Sequence, residues 1–322
     1  MPRRVFITGA NGFIGRALAQ RYRSCGVEVR GVDLAAEPRW NVVAGNICNV
    51  DDWRAHLRGA DAVIHTAAVV SMVAPMRTAW EVNCRATRRL LTACRELGIA
   101  RFVQLSSVAA YGFDFPDGVD ETWPLLVNGN SYTDTKITGE HLVLAAHAAG
   151  ELDCTIIRPG DVYGPASRAW VVAPLEAMKS RQFLLPDAGR GIFSPIYIDD
   201  LVDGVVLAAG SGAGAGQVFN ITHGTGVSCT EFFGHHWRWL GKRGSIPSLP
   251  TTVAMVVAET GNRLARWTGR RSEMGRGTIG LLSRPGTYSI EKARRLLGFE
   301  PAVDLAAGMQ RAETWARAQG LI

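Results

Sequence analysis

Runs of apolar and β-branched residues alternate with helical patterns of apolar positions between Arg4 and Pro159. The predicted strands are VFIT at 5–8, VEVRGVD at 27–33, AVIHTA at 62–67, RFVQLSS at 101–107 and CTIIRP at 154–159. The predicted helices run from about Phe13 to Cys25, Val50 to Arg58, Ala79 to Leu97 and Tyr132 to Ala149. Strands that alternate with helices indicate a parallel sheet with helices on both faces. The chain is therefore predicted to contain a doubly wound α/β domain.

The regular alternation ends after Gly164, where prolines and a glycine-rich stretch interrupt short helical pieces. A helix from about Ile198 to Ala209 and a strand QVFNIT at 217–222 have the pattern of a return to the main sheet. The remaining residues must then form a second part of the molecule. We predict a large domain of residues 1–164 and 192–222 and a smaller domain of residues 165–191 and 223–322.

The chain has 322 residues, of which 47% are hydrophobic, and this is enough for a large buried core. Its six cysteines, at positions 25, 48, 84, 94, 154 and 229, form no CxxC pair and no metal-ligand spacing. They lie among apolar residues, as free buried thiols do, which favours a reducing cytoplasm and predicts no metal site. The opening MPRRVFITG leads straight into a strand, and no apolar run is long enough to span a bilayer. We expect a soluble, unprocessed, cytoplasmic protein.

The formal net charge is +6, and basic residues are spread over most of the chain, which makes nucleic acid a poor candidate partner. The segment from Arg238 to Arg295 is the exception, with twelve lysines and arginines against three glutamates and no aspartate. Such a segment either forms an ordinary solvated surface or faces anionic lipid or an acidic partner.

An apolar stripe lies inside this basic segment, between Thr251 and Trp267, with Arg263 and Arg266 close by and Gly261 within it. Its members recur at helical spacing: Val253, Val256, Val257, Leu264 and Trp267. Such a stripe usually packs in a core or an interface, and the glycine weakens the prediction of one continuous helix. The sharper hypothesis is a peripheral, reversible contact with a membrane surface.

Three glycines lie where the first predicted strand turns into the first helix, in the run TGANGFIG at 8–15. Gly9, Gly12 and Gly15 permit a tight turn and let the backbone approach a pyrophosphate at the helix N-terminus. Asp33 ends the second strand, eighteen positions beyond Gly15. A carboxylate there accepts hydrogen bonds from ribose hydroxyls and repels a 2′-phosphate, which favours NAD over NADP. The alternative is that the glycines serve an ordinary turn and Asp33 is a helix cap or loop acid.

Further motifs follow along the chain: HTAA at 65–68, SSVAAYG at 106–112, YTDTK at 132–136, RPGDVYGP at 158–165 and YSIEKARRLLGFEP at 288–301. Together with TGANGFIG, and over essentially the whole chain, they resemble the extended short-chain dehydrogenases/reductases. That family includes sugar-nucleotide epimerases and dehydratases and 3β-hydroxysteroid dehydrogenases. The resemblance implies that the large domain is a Rossmann-type NAD-binding domain and the smaller, C-terminal one binds substrate. It also implies a homodimer formed through a pair of helices.

Tyr132 and Lys136 stand four residues apart, which is one helical turn, so their side chains share a face. Interconversion of an alcohol and a carbonyl needs a group that gives or takes the hydroxyl proton, and a tyrosine with an ordinary pKa of about 10 is a poor base at neutral pH. An ammonium beside the phenol stabilises the phenolate. We predict Tyr132 as the acid/base and Lys136 as its partner. The alternative is a surface tyrosine and a solvated lysine on an amphipathic helix.

Ser107 ends the strand that precedes this helix, and we predict that it hydrogen-bonds the reacting oxygen. Ser106 is the alternative, but the resemblance favours Ser107, which stands four residues before Tyr111. The resemblance also implies that Lys136 holds the nicotinamide ribose. His65 ends an apolar strand whose following loop lines the cofactor in the family, so it is left out of the catalytic set.

The residues predicted to contact NAD come from the motifs above. They are Gly9, Asn11, Gly12, Phe13, Ile14, Gly15, Asp33, Asn46, Ile47, Thr66, Ala67, Ala68, Tyr132, Lys136, Pro159 and Val162. Asn46 departs from the family pattern, which has an aspartate near the adenine. Because its amide oxygen still accepts a hydrogen bond from the exocyclic amine, NAD remains the predicted cofactor.

A second departure concerns the substrate. The stretch FSPIYIDD at 193–200 places Phe193 where sugar-nucleotide members of the family commonly carry an arginine for the diphosphate. An aromatic ring offers a diphosphate no cationic donor and favours an apolar ligand. Ser71 and Met72 follow the HTAA motif, at the carboxyl end of a parallel strand, where α/β folds bind substrate. These residues either line a pocket or pack beneath the second domain.

The leading hypothesis is a dehydrogenase or ketoreductase that acts on an apolar alcohol or ketone, with a 3β-hydroxysteroid-like compound as the most concrete candidate. A sugar-nucleotide epimerase or dehydratase is the alternative, with Arg168, Arg181 and Arg190 available for phosphate groups. A non-catalytic NAD-binding regulator is a third hypothesis, because fold alone does not fix function, although the intact catalytic set argues against it.

Overall fold

The computed structural model describes residues 1–267 and 275–322. Within these residues, seven parallel strands form one open sheet in the order β3-β2-β1-β4-β5-β6-β11. The strands are β1 (Arg4–Thr8), β2 (Glu28–Asp33), β3 (Val42–Ala44), β4 (Ala62–His65), β5 (Arg101–Leu105), β6 (Asp153–Pro159) and β11 (Gln217–Ile221). The predicted doubly wound α/β fold is confirmed. The strand order reverses between β1 and β4, and ligands of such folds bind at the carboxyl ends of the strands on either side of that point.

Helices cover both faces of this sheet. In all, the described residues form the helices α1 (Phe13–Ser24), α2 (Met76–Trp80), α3 (Ala86–Glu96), α4 (Ser131–Ala148), α5 (Ala173–Lys179), α6 (Ile198–Gly210), α7 (Cys229–Trp239), α8 (Thr251–Trp267), α9 (Arg276–Leu281), α10 (Glu291–Leu297) and α11 (Leu305–Ala318). Alternate residues of β1 enter two separate cores: Val5 and Ile7 pack with α1 and α6, and Phe6 packs with α3 and α4. Burial on both faces explains why the central strands are almost continuously apolar.

Short strands pair outside the main sheet. They are β7 (Asp161–Tyr163), β8 (Leu185–Pro186), β9 (Ile192–Phe193), β10 (Pro195–Tyr197), β12 (Val227–Ser228) and β13 (Ser248–Leu249). β7 pairs with β10, β8 with β13 and β9 with β12. The chain returns to the main sheet through α6 and β11, as the sequence predicts, because β11 pairs with β6 along its whole length. The exact domain boundaries stay a prediction.

The predicted helix from Val50 to Arg58 is wrong. The segment forms two short 3₁₀ turns, Val50–Asp52 and Arg54–Leu57. Trp53 between them has the non-helical backbone angles φ −133° and ψ −1°. Its indole is 1% exposed and stacks on Phe6 with 5.7 Å between ring centroids. This tertiary contact, which the local apolar spacing does not reveal, explains why the segment is not one regular helix.

The predicted helix from Ala79 to Leu97 begins three residues earlier and contains a π-helical turn at Glu81–Arg85 between α2 and α3. Asn83 in this turn is buried, and its side chain accepts from the backbone N–H of Val69 at 2.8 Å and donates to the Val69 carbonyl at 3.1 Å. It also donates to Thr135 Oγ1 of α4 at 2.9 Å. The turn therefore ties the loop after β4 to the helix that carries Tyr132 and Lys136.

All six cysteines are free thiols, but two of them are not buried as expected. Cys25 is exposed because it follows the end of α1, and Cys48 is partly exposed in the loop after β3. Burial raises the pKa of the Cys84 thiol to about 11. Among the described residues, no helix has both the length and the apolar composition that a membrane crossing needs.

Helix α8 presents an apolar face to solvent. Val253, Val256 and Val257 are 45%, 64% and 46% exposed, whereas Ala254 and Ala258 are buried against Ile279. The continuous helix between Thr251 and Trp267 agrees with the sequence pattern despite its glycine. Four further side chains lie outside the described residues. They are those of the stripe residues Leu264 and Trp267 and of the nearby Arg263 and Arg266. The membrane contact stays a prediction.

This prediction is tested by replacing Val253, Val256 and Val257 together with serine. If the valine face enters an anionic lipid surface, the variant should co-sediment with anionic liposomes at low salt several-fold less than the wild-type protein, because apolar area and charge both contribute to such binding. Leu207→Ser, which removes an exposed apolar side chain from α6, is the matched control. Wild-type protein that stays in the supernatant at low salt would dismiss the membrane contact.

Candidate active site

The predicted glycine turn connects β1 to α1 and leaves its backbone open to a ligand. Gly9 has a φ of +67°, and a Cβ atom there would come within 2.9 Å of Ala67 N and Thr66 Oγ1. A Cβ atom at Gly15 would lie 2.2 Å from the Gly9 carbonyl oxygen. The turn therefore excludes side chains at both positions, and the free N–H groups at the start of α1 can approach a pyrophosphate.

Asp33 ends β2 beside this turn. Its carboxylate accepts hydrogen bonds from the backbone N–H of Asn11 at 2.9 Å and of Leu34 at 2.7 Å. A carboxylate offers about four acceptor positions, so two remain for the ribose hydroxyls. Asn46 is exposed, and its side-chain oxygen accepts from Cys48 N at 2.9 Å. That oxygen keeps a second lone pair for the adenine amine.

The loop after β4 lies across the glycine turn. Thr66 donates to the Thr8 carbonyl at 2.7 Å, and Ala67 N donates to Thr8 Oγ1 at 3.3 Å. The ring of His65 is buried between Thr8 Oγ1, at 2.7 Å, and Thr87 Oγ1, at 3.0 Å. Burial, with the nearby charge of Lys136, lowers the pKa of His65 to about 3, so the ring is neutral and has a structural role.

The other predicted cofactor residues surround this turn with different degrees of exposure. The partly exposed ones are Phe13, Ile14, Ala68 and Val162, and Gly12 is exposed. Ile47 and Pro159 are buried, so they offer a ligand little surface. The residues present therefore fit a dinucleotide that extends from Asp33 across the glycine turn toward α4.

The predicted catalytic side chains meet at the carboxyl end of β5. Asn130 caps α4, because its side chain accepts from Tyr132 N at 2.9 Å and from Thr133 N at 3.3 Å. This cap fixes Tyr132 in the first turn. Ser107 follows β5 directly and caps the next turn by accepting from Ala109 N at 3.1 Å. Lys136 Nζ lies 5.8 Å from the centroid of the Tyr132 ring and donates to the Leu105 carbonyl at 2.8 Å.

Burial determines the protonation of these groups. Burial raises the pKa of Tyr132 above its ordinary value, hydrogen bonding with Ser107 acts in the opposite direction, and the charge of Asp161 raises it further. Burial lowers the pKa of Lys136 to about 8, against the opposing effect of Glu140. At neutral pH the phenol is therefore protonated and can act as an acid, and the lysine is mostly charged. The ammonium stabilises a phenolate only if it turns from Leu105 toward the phenol oxygen.

Ser106 is excluded as the catalytic serine because its side chain is used elsewhere. Its hydroxyl donates to Glu140 Oε1 at 2.5 Å, on the buried side of α4. Glu140 is 0% exposed and also accepts from Arg158 Nη2 at 2.6 Å and Nε at 2.9 Å. Arg158 donates in turn to the Tyr111 hydroxyl at 2.7 Å.

Sequence reasoning missed this buried network of Ser106, Glu140, Arg158 and Tyr111. A glutamate four residues after Lys136 and an arginine at the end of an apolar strand were the available signals. Each looks like a solvated charge until the tertiary contact is known. The network fixes the backbone at Ser106, next to the catalytic Ser107, and at Glu140, one helical turn after Lys136.

The predicted substrate residues lie in two different environments. Ser71 and Met72 are partly exposed in the loop after β4, and the Met72 carbonyl accepts from Asn130 Nδ2 at 3.3 Å. A Cβ atom at Gly277 of α9 would lie 3.2 Å from Met72 Cβ, so α9 packs over this loop. Phe193 is 0% exposed and its ring centroid lies 4.0 Å from that of Phe232, inside an aromatic core.

Phe193 therefore has no surface left for a ligand, and its predicted place in the pocket wall is corrected. It also packs edge-on against Trp170, with 4.8 Å between centroids. The sequence string alone could not show that β9 turns this side chain into the core. Under the sugar-nucleotide alternative, three arginines were candidates to bind phosphate groups, and all three are exposed: Arg168, Arg181 and Arg190. Two of them form ion pairs, Arg168 with Glu176 and Arg190 with Asp187.

The chain is similar to known proteins over nearly its whole length. A ketoreductase from Stigmatella aurantiaca, named for 4-hydroxy-2-methyl-3-oxo-4-farnesyl-3,4-dihydroquinoline-1-oxide, is 28% identical over 317 residues, 95% of this chain and 94% of the relative. A 3-beta-hydroxysteroid dehydrogenase from Mycolicibacterium neoaurum is 28% identical over 326 residues, 92% of this chain and 87% of the relative. The solved structure of MoeE5 with UDP-glucuronic acid and NAD has a TM-score of 0.80 at 25% identity, and covers 98% of this chain and 99% of that one.

The fold and the site define an α/β enzyme of the extended short-chain dehydrogenase/reductase class, as the sequence motifs predict. The family profile described as NAD dependent epimerase/dehydratase matches residues 5–222. The chain belongs to the NAD dependent epimerase/dehydratase family. The predicted cofactor, NAD, is thereby confirmed at the level of the family.

Replacing Tyr132 with phenylalanine should lower kcat by at least about a hundredfold, because general acid–base groups contribute about 10² to 10⁴. NAD affinity, measured by calorimetry, should stay within about tenfold of the wild-type value, because the cofactor loses at most one neutral hydrogen bond. Tyr22→Phe is the matched control, since its buried hydroxyl has no partner among the described residues and lies in α1. A Tyr132→Phe enzyme with more than about a tenth of the wild-type kcat would remove Tyr132 from the acid/base role.

Asp33→Ala should narrow the preference for NAD(H) over NADP(H), because the carboxylate that repels the 2′-phosphate is lost. The ratio of kcat/KM for the two cofactors measures this preference. Glu37→Ala, which removes a neighbouring carboxylate after β2, is the control and should leave the ratio unchanged. Equal or reversed values in the wild-type enzyme would overturn the assigned role of Asp33.

Proposed function

We propose that this protein is an NAD(H)-dependent oxidoreductase that interconverts a secondary alcohol and a ketone on an apolar, 3β-hydroxysteroid-like substrate. The observation that carries the proposal is the grouping of Ser107, Tyr132 and Lys136 at the carboxyl end of β5, at the same edge of the sheet as the glycine turn. A protonated phenol with a hydroxyl neighbour is what reduction of a carbonyl requires.

Each catalytic residue has a separate role in the proposed reaction. A nicotinamide cofactor, held by the glycine turn and Asp33, would supply or accept the hydride. Tyr132 gives the proton to the carbonyl oxygen during reduction, and accepts it from the alcohol during oxidation. Ser107 donates a hydrogen bond to the same oxygen and holds it near the phenol. The positive charge of Lys136 favours the phenolate that forms when Tyr132 gives up its proton.

Several observations favour an apolar substrate. The ketoreductase relative is named for a substrate with a farnesyl group, a long apolar chain, and the other relative is named for a steroid. In this chain, α9 packs over Met72 and Phe113, since Cβ atoms at Gly277 and Gly280 would lie 3.2 Å and 2.7 Å from them. These contacts support an apolar substrate, because methionine and aromatic side chains favour an apolar ligand.

A sugar-nucleotide epimerase or dehydratase is the second candidate. The observation in its favour is the likeness, over 98% of the chain, to a structure that contains UDP-glucuronic acid. The same catalytic set would then act by transient oxidation of the sugar. We also propose that the protein is a homodimer, as the family resemblance implies.

A turnover screen separates these candidates. NAD(H)-dependent turnover should be seen with hydroxysteroids, hydrophobic secondary alcohols or their ketones, and not with UDP-, GDP- or dTDP-sugars. Tyr132→Phe protein is the control for non-enzymatic reaction. If UDP or dTDP inhibits at micromolar concentrations while no apolar compound binds or turns over, the sugar-nucleotide function replaces the proposal. NAD binding without turnover of any class would instead favour a regulator.

A further inference from the structure

A short segment of the loop after β4 is tied to α4 at both of its ends. At one end, Asn83 bonds both backbone groups of Val69 and the hydroxyl of Thr135 in α4. At the other end, Asn130 Nδ2 donates to the carbonyl of Met72 at 3.3 Å. The segment between these two contacts is therefore held alongside the first turns of α4.

Asn130 makes its contacts with the two ends of one amide group. Its Oδ1 accepts from the backbone N–H of Tyr132 at 2.9 Å and of Thr133 at 3.3 Å, and its Nδ2 donates to Met72. Tyr132 is the predicted acid/base, and Met72 is a predicted substrate residue. A single side chain therefore bonds the backbone of the proton donor and the loop predicted to bind substrate.

Helix α9 lies directly over this amide because Gly277 has no side chain. A Cβ atom there would come within 2.6 Å of Asn130 Nδ2 and 3.2 Å of Met72 Cβ. The first distance is too short for a non-bonded contact, so a side chain at this position would push the amide away from the Met72 carbonyl. Gly277 lies inside α9 and is not among the glycines with a positive φ. Space, and not backbone conformation, therefore requires a glycine here.

We propose that Asn130 is a positioning residue for the reaction, which fixes the loop predicted to bind substrate at a set distance from the acid/base Tyr132. Proton transfer requires donor and acceptor within hydrogen-bond reach, so a small displacement of the loop lowers the rate even when both groups are intact. Gly277 permits the contact by leaving room for the amide. The inference rests on the proposed role of Tyr132 and applies to either substrate class, because the contact joins two parts of the protein.

The first test is Asn130→Ser, assayed with a substrate that the turnover screen identifies. Serine caps a helix about as well as asparagine, so the first turn of α4 is kept and the donor to Met72 is lost. We expect kcat to fall at least about tenfold, because the reacting atoms are misplaced. KM should change less than kcat, since apolar contacts are not directional. NAD affinity and melting temperature should stay near the wild-type values, because the glycine turn and the cap are unchanged.

Asn130→Asp is the second variant, since aspartate has the shape of asparagine and also caps the helix without the donor. It should lower kcat in the same way. Asn128→Asp is the matched control, because it adds the same charge two residues earlier. Its side-chain oxygen accepts from Asn130 N at 3.0 Å, and an aspartate preserves that contact. The control should keep the wild-type kcat.

Gly277→Ala is an independent variant, because it leaves Asn130 in the chain and displaces its amide. Alanine favours a helix more than glycine does, so α9 itself should not be weakened. The expected result is again a lower kcat with little change in NAD affinity. Gly261→Ala in α8 is the matched control and should have no effect, since a Cβ atom there would meet no atom within 4 Å.

Hydrogen exchange measured by mass spectrometry tests the contact without a substrate. In Asn130→Ser, peptides that contain the hydrogen-bonded amides of Val69 and Val73 should exchange faster than in the wild type. Peptides from residues 131–148 should keep their protection, because the cap is retained.

The proposal is overturned if exchange in the loop is unchanged, or if kcat of Asn130→Ser stays within about threefold of the wild-type value. It is also overturned if kcat falls only together with NAD affinity or with the protection of α4, since the residue then has a structural role alone. If the wild-type protein turns over no compound of any class, the proposed function fails, and the exchange result alone decides whether Asn130 holds the loop.

Discussion

The buried pair of Glu140 and Arg158 is the interaction on which the geometry of the site depends. Glu140 belongs to α4, which carries Tyr132 and Lys136, and Arg158 belongs to β6, which lies between β5 and β11 in the main sheet. Ser106 joins the pair from the end of β5, one residue before Ser107. Loss of one partner from such a pair costs about 3–5 kcal/mol, because the other charge is left buried and unpaired. The helix therefore cannot shift along the sheet without breaking these contacts.

The same network reaches beyond the catalytic residues. The Tyr111 hydroxyl donates to Asn220 Oδ1 of β11 at 2.8 Å, and Asn220 Nδ2 donates to the Ser289 carbonyl at 3.2 Å. The hydrogen bonds thus continue from α4 through the sheet to the segment that precedes α10. That segment is therefore fixed to the same frame as Tyr132. The position of the proton donor depends on one connected set of buried polar contacts.

The parts of the fold and site that the sequence predicted are those that local spacing determines. The glycine turn, the helix from Ser131 to Ala148 and the pairing of Tyr132 with Lys136 each depend on residues a few positions apart. The short edge strand β3 was missed because three residues carry little pattern. Asp161 and Arg284 form a buried ion pair, but they are 123 residues apart, so their contact has no local signal. Phe193 was misplaced for a related reason, since the family comparison gives its position in the sequence but not the direction of its ring.

The short strand pairs outside the main sheet join two distant stretches of the chain. β8 and β9 come before α6 and β11, whereas their partners β13 and β12 come after them. The region that these short strands form outside the main sheet is therefore made from two segments of the chain, which are separated in sequence by α6 and β11. A chimera that takes only one of these segments from a relative would break both ladders at once. Recombination between such proteins would keep both ladders intact only when the two segments are exchanged together.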